Sequence, residues 1–120
     1  MTQTTTTQTT TKALSVFPGN LVPGAALAAE YWQVSNTTGA SATTVDLTFD
    51  LVNKYDQIPA IAGTPLLTKG EGSSTTKIVA WYITTQTKTK IVVTVEVDQV
   101  AGAGKDNTVT MCAYIAGPQV

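Results

Sequence analysis

The sequence predicts an all-β protein, an antiparallel β-sandwich or small β-barrel of about six to eight strands with an extended N-terminal arm and little helix. Two observations support this class. Threonine, a β-branched residue whose hydroxyl suits the solvent side of a sheet, accounts for 24 of the 120 residues. Several segments alternate apolar with polar residues, and turn-forming residues separate them at intervals of about ten residues.

The chain has the size of one domain, which we divide into a threonine-rich N-terminal arm, residues 1–12, and a single β domain, residues 13–120. The arm has no apolar anchor, so in an isolated monomer it should be disordered. Docking on a neighbouring subunit as an added strand would order it. The apolar run from Ala13 to Phe17 predicts a first strand or a further part of the arm.

The first half of the domain predicts two strands. Pro23 and the alanines after it favour a short helical turn through residues 25–29, and residues 30–34 then alternate as a strand. Residues 36–43 have turn chemistry throughout. The next strand has an apolar inward row at alternate positions, formed by Val45, Leu47, Phe49 and Leu51.

Residues 53–76 contain two prolines and three glycines and have no strong periodicity. Such a stretch indicates either a hidden edge strand or a long surface loop. We favour the loop, pinned to the domain by the aliphatic residues Ile58, Ile61, Leu66 and Leu67.

The last third of the chain carries the strongest strand signal. Residues 78–83 predict one strand, and two further strands have apolar inward rows at alternate positions. These rows are Ile91, Val93, Val95 and Val97, and then Val109, Met111, Ala113 and Ile115. Residues 102–107 predict a flexible loop. We expect the three strands to form a meander.

Charge and composition disfavour several function classes. The formal net charge is −1, with seven lysines and no arginine, whereas nucleic-acid binding depends on clustered basic residues. The absence of histidine removes the commonest general acid–base and metal ligand. Cys112 lies in a strand-like run and is predicted to be a small buried hydrophobe. We therefore expect no enzyme activity, no catalytic residue, no metal, no cofactor and no nucleic-acid partner.

Membrane and export signals are not apparent in the sequence. The first eleven residues contain no apolar stretch of the kind found in signal peptides. No later segment approaches the roughly 18 continuous apolar residues of a membrane span. We expect neither a signal peptide nor a transmembrane segment, and no membrane partner.

Two pairs of acidic residues fall on predicted strands. Asp46 and Asp50 lie on one strand, and Glu96 and Asp98 lie two residues apart on another. Either pair could hold Ca²⁺ together with loop oxygens, or act as the carboxylate couple of a glycosidase. Solvated strand faces explain both pairs more simply, and we favour that interpretation.

Two adjacent aromatic pairs, Tyr31-Trp32 and Trp81-Tyr82, also fall on predicted strands. Because neighbouring strand residues point to opposite faces, each pair should place one ring inward and one outward. An exposed ring could stack on a sugar or anchor a protein partner.

These patterns best fit a non-enzymatic structural protein of the virion, such as a capsid decoration, minor capsid or coat subunit, assembled with copies of itself and other structural capsid proteins. The candidate assembly residues are Thr4, Thr7, Thr10, Leu14, Val16, Phe17, Ile58, Ile61, Leu66 and Leu67. The alternative is a monomeric carbohydrate- or receptor-binding β-sandwich, in which Trp32 and Trp81 would stack on the ligand.

Overall fold

A computed structural model describes residues 8–15 and 27–120 of the chain. These residues form seven strands in two antiparallel sheets, which confirms the predicted all-β class. The strands are β1 (Gln8–Ser15), β2 (Leu27–Thr37), β3 (Thr44–Asp50), β4 (Ala60–Lys69), β5 (Ile78–Gln86), β6 (Lys90–Val97) and β7 (Thr108–Pro118). The four-stranded sheet has the order β1-β2-β7-β4, and the three-stranded sheet has the order β3-β6-β5.

The core lies between the two sheets and is built from their inward rows. The predicted rows of β3, β6 and β7 are confirmed, since all their members are buried except Leu51, which packs against the core from just beyond β3. Strand β2 adds Ala28, Trp32 and Val34. Burying one aliphatic or aromatic side chain of this size contributes about 1.5–3 kcal/mol, so these rows supply the main stabilisation of the fold.

The predicted loop at residues 53–76 is wrong, because it contains the edge strand β4. Pro65 is tolerated there because β4 pairs on one side only, with β7, where Pro65 lies opposite Met111. Gly63 allows close approach, since a Cβ atom at this position would collide with the carbonyl oxygen of Cys112. A strand whose inward row includes glycine and proline has a weak apolar period, which is why the sequence pattern concealed it.

The predicted meander of the last three strands is also wrong. β5 and β6 form a hairpin, but β7 lies in the other sheet between β2 and β4. The connection from β6 to β7 is held by buried Asn107, whose Nδ2 donates to the Gln99 carbonyl oxygen at 2.8 Å. Its Oδ1 accepts a hydrogen bond from the Glu71 amide, also at 2.8 Å. The chain crosses between the sheets at this point.

The N-terminal strand differs from the expected arm. β1 runs through the predicted boundary at residue 12 and pairs antiparallel with β2 of the same chain. β2 begins at Leu27, so the predicted helical turn is wrong over residues 27–29. The rest of that turn lies outside the described residues. Residues 36 and 37, predicted as turn, belong to β2.

Candidate functional site

The outer face of the four-stranded sheet carries no charged side chain on β2, β7 or β4, apart from Lys69 at the rim where β4 ends. β2 and β7 alternate between buried inward and outward positions, and the register with β7 fixes which residues of β4 point outward. We call the outward set the uncharged face: Leu27, Ala29, Tyr31, Gln33, Ser35 and Thr37 of β2; Thr108, Thr110, Cys112, Tyr114, Ala116 and Pro118 of β7; Ala60, Ala62, Thr64, Leu66 and Thr68 of β4. It consists of small, hydroxyl, aromatic and aliphatic side chains.

Two tyrosines form the centre of the uncharged face. Tyr31 and Tyr114 lie directly opposite each other on β2 and β7, with ring centroids 4.9 Å apart and planes tilted by 48°. Tyr114 is 65% exposed. Contact with the Cys112 side chain, together with desolvation, raises the pKa of Tyr31 above its ordinary value. Two rings and a thiol therefore lie together at the middle of this face.

Hydroxyl groups bond to one another across the uncharged face. The Thr110 hydroxyl lies 2.7 Å from the Ser35 hydroxyl on one side and 3.0 Å from the Thr68 hydroxyl on the other. The row thus links β2, β7 and β4 through side chains. Because these groups already have partners, covering the row would leave few unsatisfied polar atoms.

Cys112 lies on this face and is exposed, so the prediction of a buried cysteine is wrong. The reason is the phase of β7. Met111 and Ala113 point into the core, as predicted, and a residue between two inward positions must point outward.

The outer face of the three-stranded sheet is different, and we call it the charged face. It carries Asp46 and Asp50 on β3 and Lys90 and Glu96 on β6. Asp50 lies directly opposite Lys90. The Asp46 carboxylate accepts a hydrogen bond of 2.7 Å from the hydroxyl of Thr94. This face has the composition of a sheet surface that remains in water.

The acids of the two predicted pairs lie on or next to the charged face. Asp46 and Asp50 share the charged face with Glu96, whose carboxylate accepts a 2.9 Å hydrogen bond from the Tyr82 hydroxyl. That bond raises the pKa of Tyr82. Asp98 follows β6 and accepts from the backbone amide of Lys77 at 3.0 Å. In the described part of the chain, no three acidic or cysteine side chains come together as metal ligands do.

Trp81 and Ile83 form a partly uncovered apolar edge on β5. They lie opposite the buried residues Val95 and Val93 of β6, on the inward side of the sheet, yet they are 42% and 38% exposed. β5 is an edge strand, so its inward side is only partly covered by the opposite sheet. Trp81 and Tyr82 point to opposite faces as predicted, but the edge position of β5 leaves the inward ring, Trp81, exposed as well.

Trp32 is 6% exposed, so its proposed role as a ligand-stacking residue is not supported by its position. Its indole nitrogen donates to Glu30 at 2.8 Å inside the core. The reason is again phase, because Trp32 shares the inward row of β2 with Ala28 and Val34.

Glu30 is fully buried, and sequence reasoning missed it. Besides the indole of Trp32, its carboxylate accepts from the backbone amides of Val52 and Asn53 and from the hydroxyl of Tyr55, all at 2.8–3.2 Å. Burial, the largest cause, raises the pKa of Tyr55 to about 12. The sequence held one signal for it, because Glu30 is in phase with the inward row of β2. Because donors surround both oxygens, this carboxylate anchors the connection after β3.

The candidate assembly residues fall into four groups. Leu66 and Ile58 are exposed, and Leu66 lies on the uncharged face, whereas Ile61 and Leu67 are half-buried against the core. In β1, Thr10 lies opposite Val34 and Leu14 lies opposite Glu30 in the register with β2. The remaining candidates lie outside the described residues: Thr4, Thr7, Val16 and Phe17.

No family model and no curated protein matches the chain. A solved structure of the P. aeruginosa R1 pyocin fiber, comprising C-terminal residues 323–701, is similar over 93% of this chain and 28% of that chain. The two are 11% identical, with a TM-score of 0.42. At this level the similarity supports no inference about function, and this chain spans less than a third of that one.

The described residues contain no pocket and no helix long and apolar enough to cross a membrane. The exposed features of the described domain are therefore surfaces: the uncharged face, the charged face and the apolar edge of β5.

Proposed function

We propose that this protein is a non-enzymatic structural protein that works through protein–protein assembly. The uncharged face carries this proposal. Sheet surfaces that remain in water normally bear charges, which keep them soluble and discourage association. The cores of protein interfaces, in contrast, are depleted of charge and enriched in tyrosine. The uncharged face has the second composition over three adjacent strands.

We further propose that its setting is the virion, as a capsid decoration, minor capsid or coat subunit, with copies of itself and other structural proteins as partners. The support is a combination of features: a threonine-rich strand-dominated chain, a broad surface suited to partners, and a buried carboxylate used for structure. The virion setting rests on these architectural features and on no sequence motif.

Sedimentation of the purified chain tests the assembly function. We expect a mass above the 12.5 kDa of one chain that rises with protein concentration. A mass that stays at 12.5 kDa up to about 1 mM, a concentration at which even weak interfaces form, would contradict assembly with copies of itself.

The exposed Trp81 favours a second candidate, a carbohydrate- or receptor-binding module. A tryptophan on an edge strand, with Ile83 beside it, offers an apolar platform for a sugar ring. A glycan array should then give hits that the Trp81→Ala variant loses while its melting temperature changes little. Tyr114→Ala, a ring removed from the opposite sheet, is the matched control and should keep the hits. An array without hits would leave this candidate unsupported.

A further inference from the structure

We infer that two copies of this chain associate through their uncharged faces, stacking one four-stranded sheet on the other. This inference rests on the proposed assembly function and names its surface and its partner. Three properties of the uncharged face support a second copy as the occupant: its charge, its area and its shape.

Charge distinguishes the two outer faces as self-association surfaces. In a twofold pair each side chain meets the same surface of its partner, so any net charge on that surface repels itself. Two charged faces would bring together three acids and one lysine from each copy. Two uncharged faces bring together no formal charge except Lys69 at the rim. A partner recognised by its charge would find nothing to pair with here, whereas a second copy needs no such pairing.

The area of the uncharged face is that of a weak interface between copies. β2, β7 and β4 have ten or eleven residues each. With strands about 4.8 Å apart and a rise of about 3.3 Å per residue, they present roughly 14 Å by 35 Å, or about 500 Å² per copy. Two copies in full overlap would bury about 1,000 Å² in total, and overlap centred on Ile115, which covers about two-thirds of the length of these strands, would bury about 650 Å², the range of weak, transient contacts. Pairing of β1 with β2 widens the same sheet by one strand.

The shape of the uncharged face is self-complementary. Residues in register across the three strands form a row of Tyr31, Tyr114 and Ala62, followed by a row of Ala29, Ala116 and Ala60. Two rings, of which Tyr114 is exposed and Tyr31 half-buried, therefore stand beside a row of methyl groups, as a ridge beside a trough. A twofold axis between these rows, level with Ile115, places the ridge of each copy over the trough of the other. Small residues in the trough let the two sheets approach closely.

Cys112 provides a direct probe, because it is the single cysteine of the chain, is exposed, and lies two residues from Tyr114 on the uncharged face. The rate at which a maleimide reagent modifies this thiol should fall as the protein concentration rises from about 1 µM to about 1 mM, the range in which weak dimers form. The decrease should follow the dimer fraction measured by sedimentation.

Two matched variants separate the faces. Thr64→Lys places a charge on the uncharged face, and Thr48→Lys places the same charge on the charged face. Burying an unpaired charge at an interface should raise the dissociation constant of Thr64→Lys about tenfold or more and restore fast modification of Cys112. Thr48→Lys should associate like the unmodified protein. Thermal melting establishes that both variants fold.

The outcomes distinguish this inference from the function on which it rests. If the protein self-associates but Thr64→Lys associates equally well and Cys112 reacts at a concentration-independent rate, the inference is wrong and the assembly function stands. If the unmodified protein remains a monomer at every concentration, both the inference and assembly with copies of itself are overturned.

Discussion

The two outer faces of this sandwich are built by the same rule and differ in what they display. Both belong to antiparallel sheets whose inward rows meet in one core, so alternation decides which residues point outward. The charged face presents three acids and one lysine, and its hydroxyls bond to carboxylates, as Thr94 does to Asp46. The uncharged face presents tyrosines, alanines and hydroxyls that bond to one another, as Ser35 does to Thr110.

Alternation along a strand and the residue types on its outward side therefore carry separate information. The alternation of apolar and polar residues shows which side of a strand is exposed to solvent in the monomer. The residue types on that side show whether the exposed surface suits bulk water or contact with another protein. A sheet can alternate regularly, and so bury its inward row, while its uncharged outward face is suited to contact with a partner.

The largest expected effect is a loss of stability caused by a substitution in the core, between the two sheets. Glu30→Gln keeps the shape of the side chain but turns one hydrogen-bond acceptor into a donor among the amides and hydroxyl that surround it. We expect the free energy of unfolding to fall by about 3 kcal/mol or more. Urea denaturation measures this loss.

The matched control for that change lies on the charged face. Glu96→Gln removes the same charge where the carboxylate meets water and one tyrosine hydroxyl. Its free energy of unfolding should change by less than about 1 kcal/mol. Equal losses of unfolding free energy in the two variants would show that the buried Glu30 carboxylate contributes no more to stability than the one at the surface.

A second change acts on one face alone. Ala116→Phe fills the trough of the uncharged face without adding charge, so it should weaken self-association by about tenfold through overpacking at the stacked sheets. Ala80→Phe makes the same substitution at an outward position of β5 on the charged face and should leave association unchanged. Sedimentation at several concentrations gives both dissociation constants. Equal weakening by the two variants would argue that the position of the substitution does not matter.

The smallest effects concern one tyrosine on each face. The pKa values of Tyr31 and Tyr82 are both raised, the first mainly by the Cys112 side chain and the second mainly by its hydrogen bond to Glu96. Cys112→Ala should lower the pKa of Tyr31 and leave that of Tyr82 unchanged. Glu96→Gln should lower the pKa of Tyr82 and leave that of Tyr31 unchanged. Ring-carbon chemical shifts followed against pH report each tyrosine separately. A single variant that moved both pKa values would mean that the faces are electrostatically linked.

The sequence predicted the rows that face the core and missed how the strands combine. Residues 45–49, 91–97 and 109–115 alternate strongly between apolar and polar residues, so their inward rows could be assigned correctly. β4 was missed because Gly63 and Pro65 interrupt its inward row. The position of β7 was missed because similar antiparallel strands can pair within one sheet or lie in the opposite one, and the pattern of a strand does not specify its partner.

The candidate site was even less accessible to sequence reasoning. The uncharged face exists only when β2, β7 and β4 lie side by side, and these strands are far apart in the chain. Cys112 shows what could have been found: the assignment of Met111 and Ala113 to the inward row already required the cysteine to point outward. Trp32 and Trp81 look alike in sequence, but one lies on a covered strand and the other on an edge.

Isotope-filtered NMR on an equimolar mixture of ¹³C-labelled and unlabelled protein can show whether the uncharged faces of two copies stack, because it detects only contacts between copies. We expect intermolecular cross-peaks between the Tyr114 ring and the Ala116 methyl group. Intermolecular cross-peaks that instead connect residues of the charged face, such as Tyr82 or Val92, would contradict it.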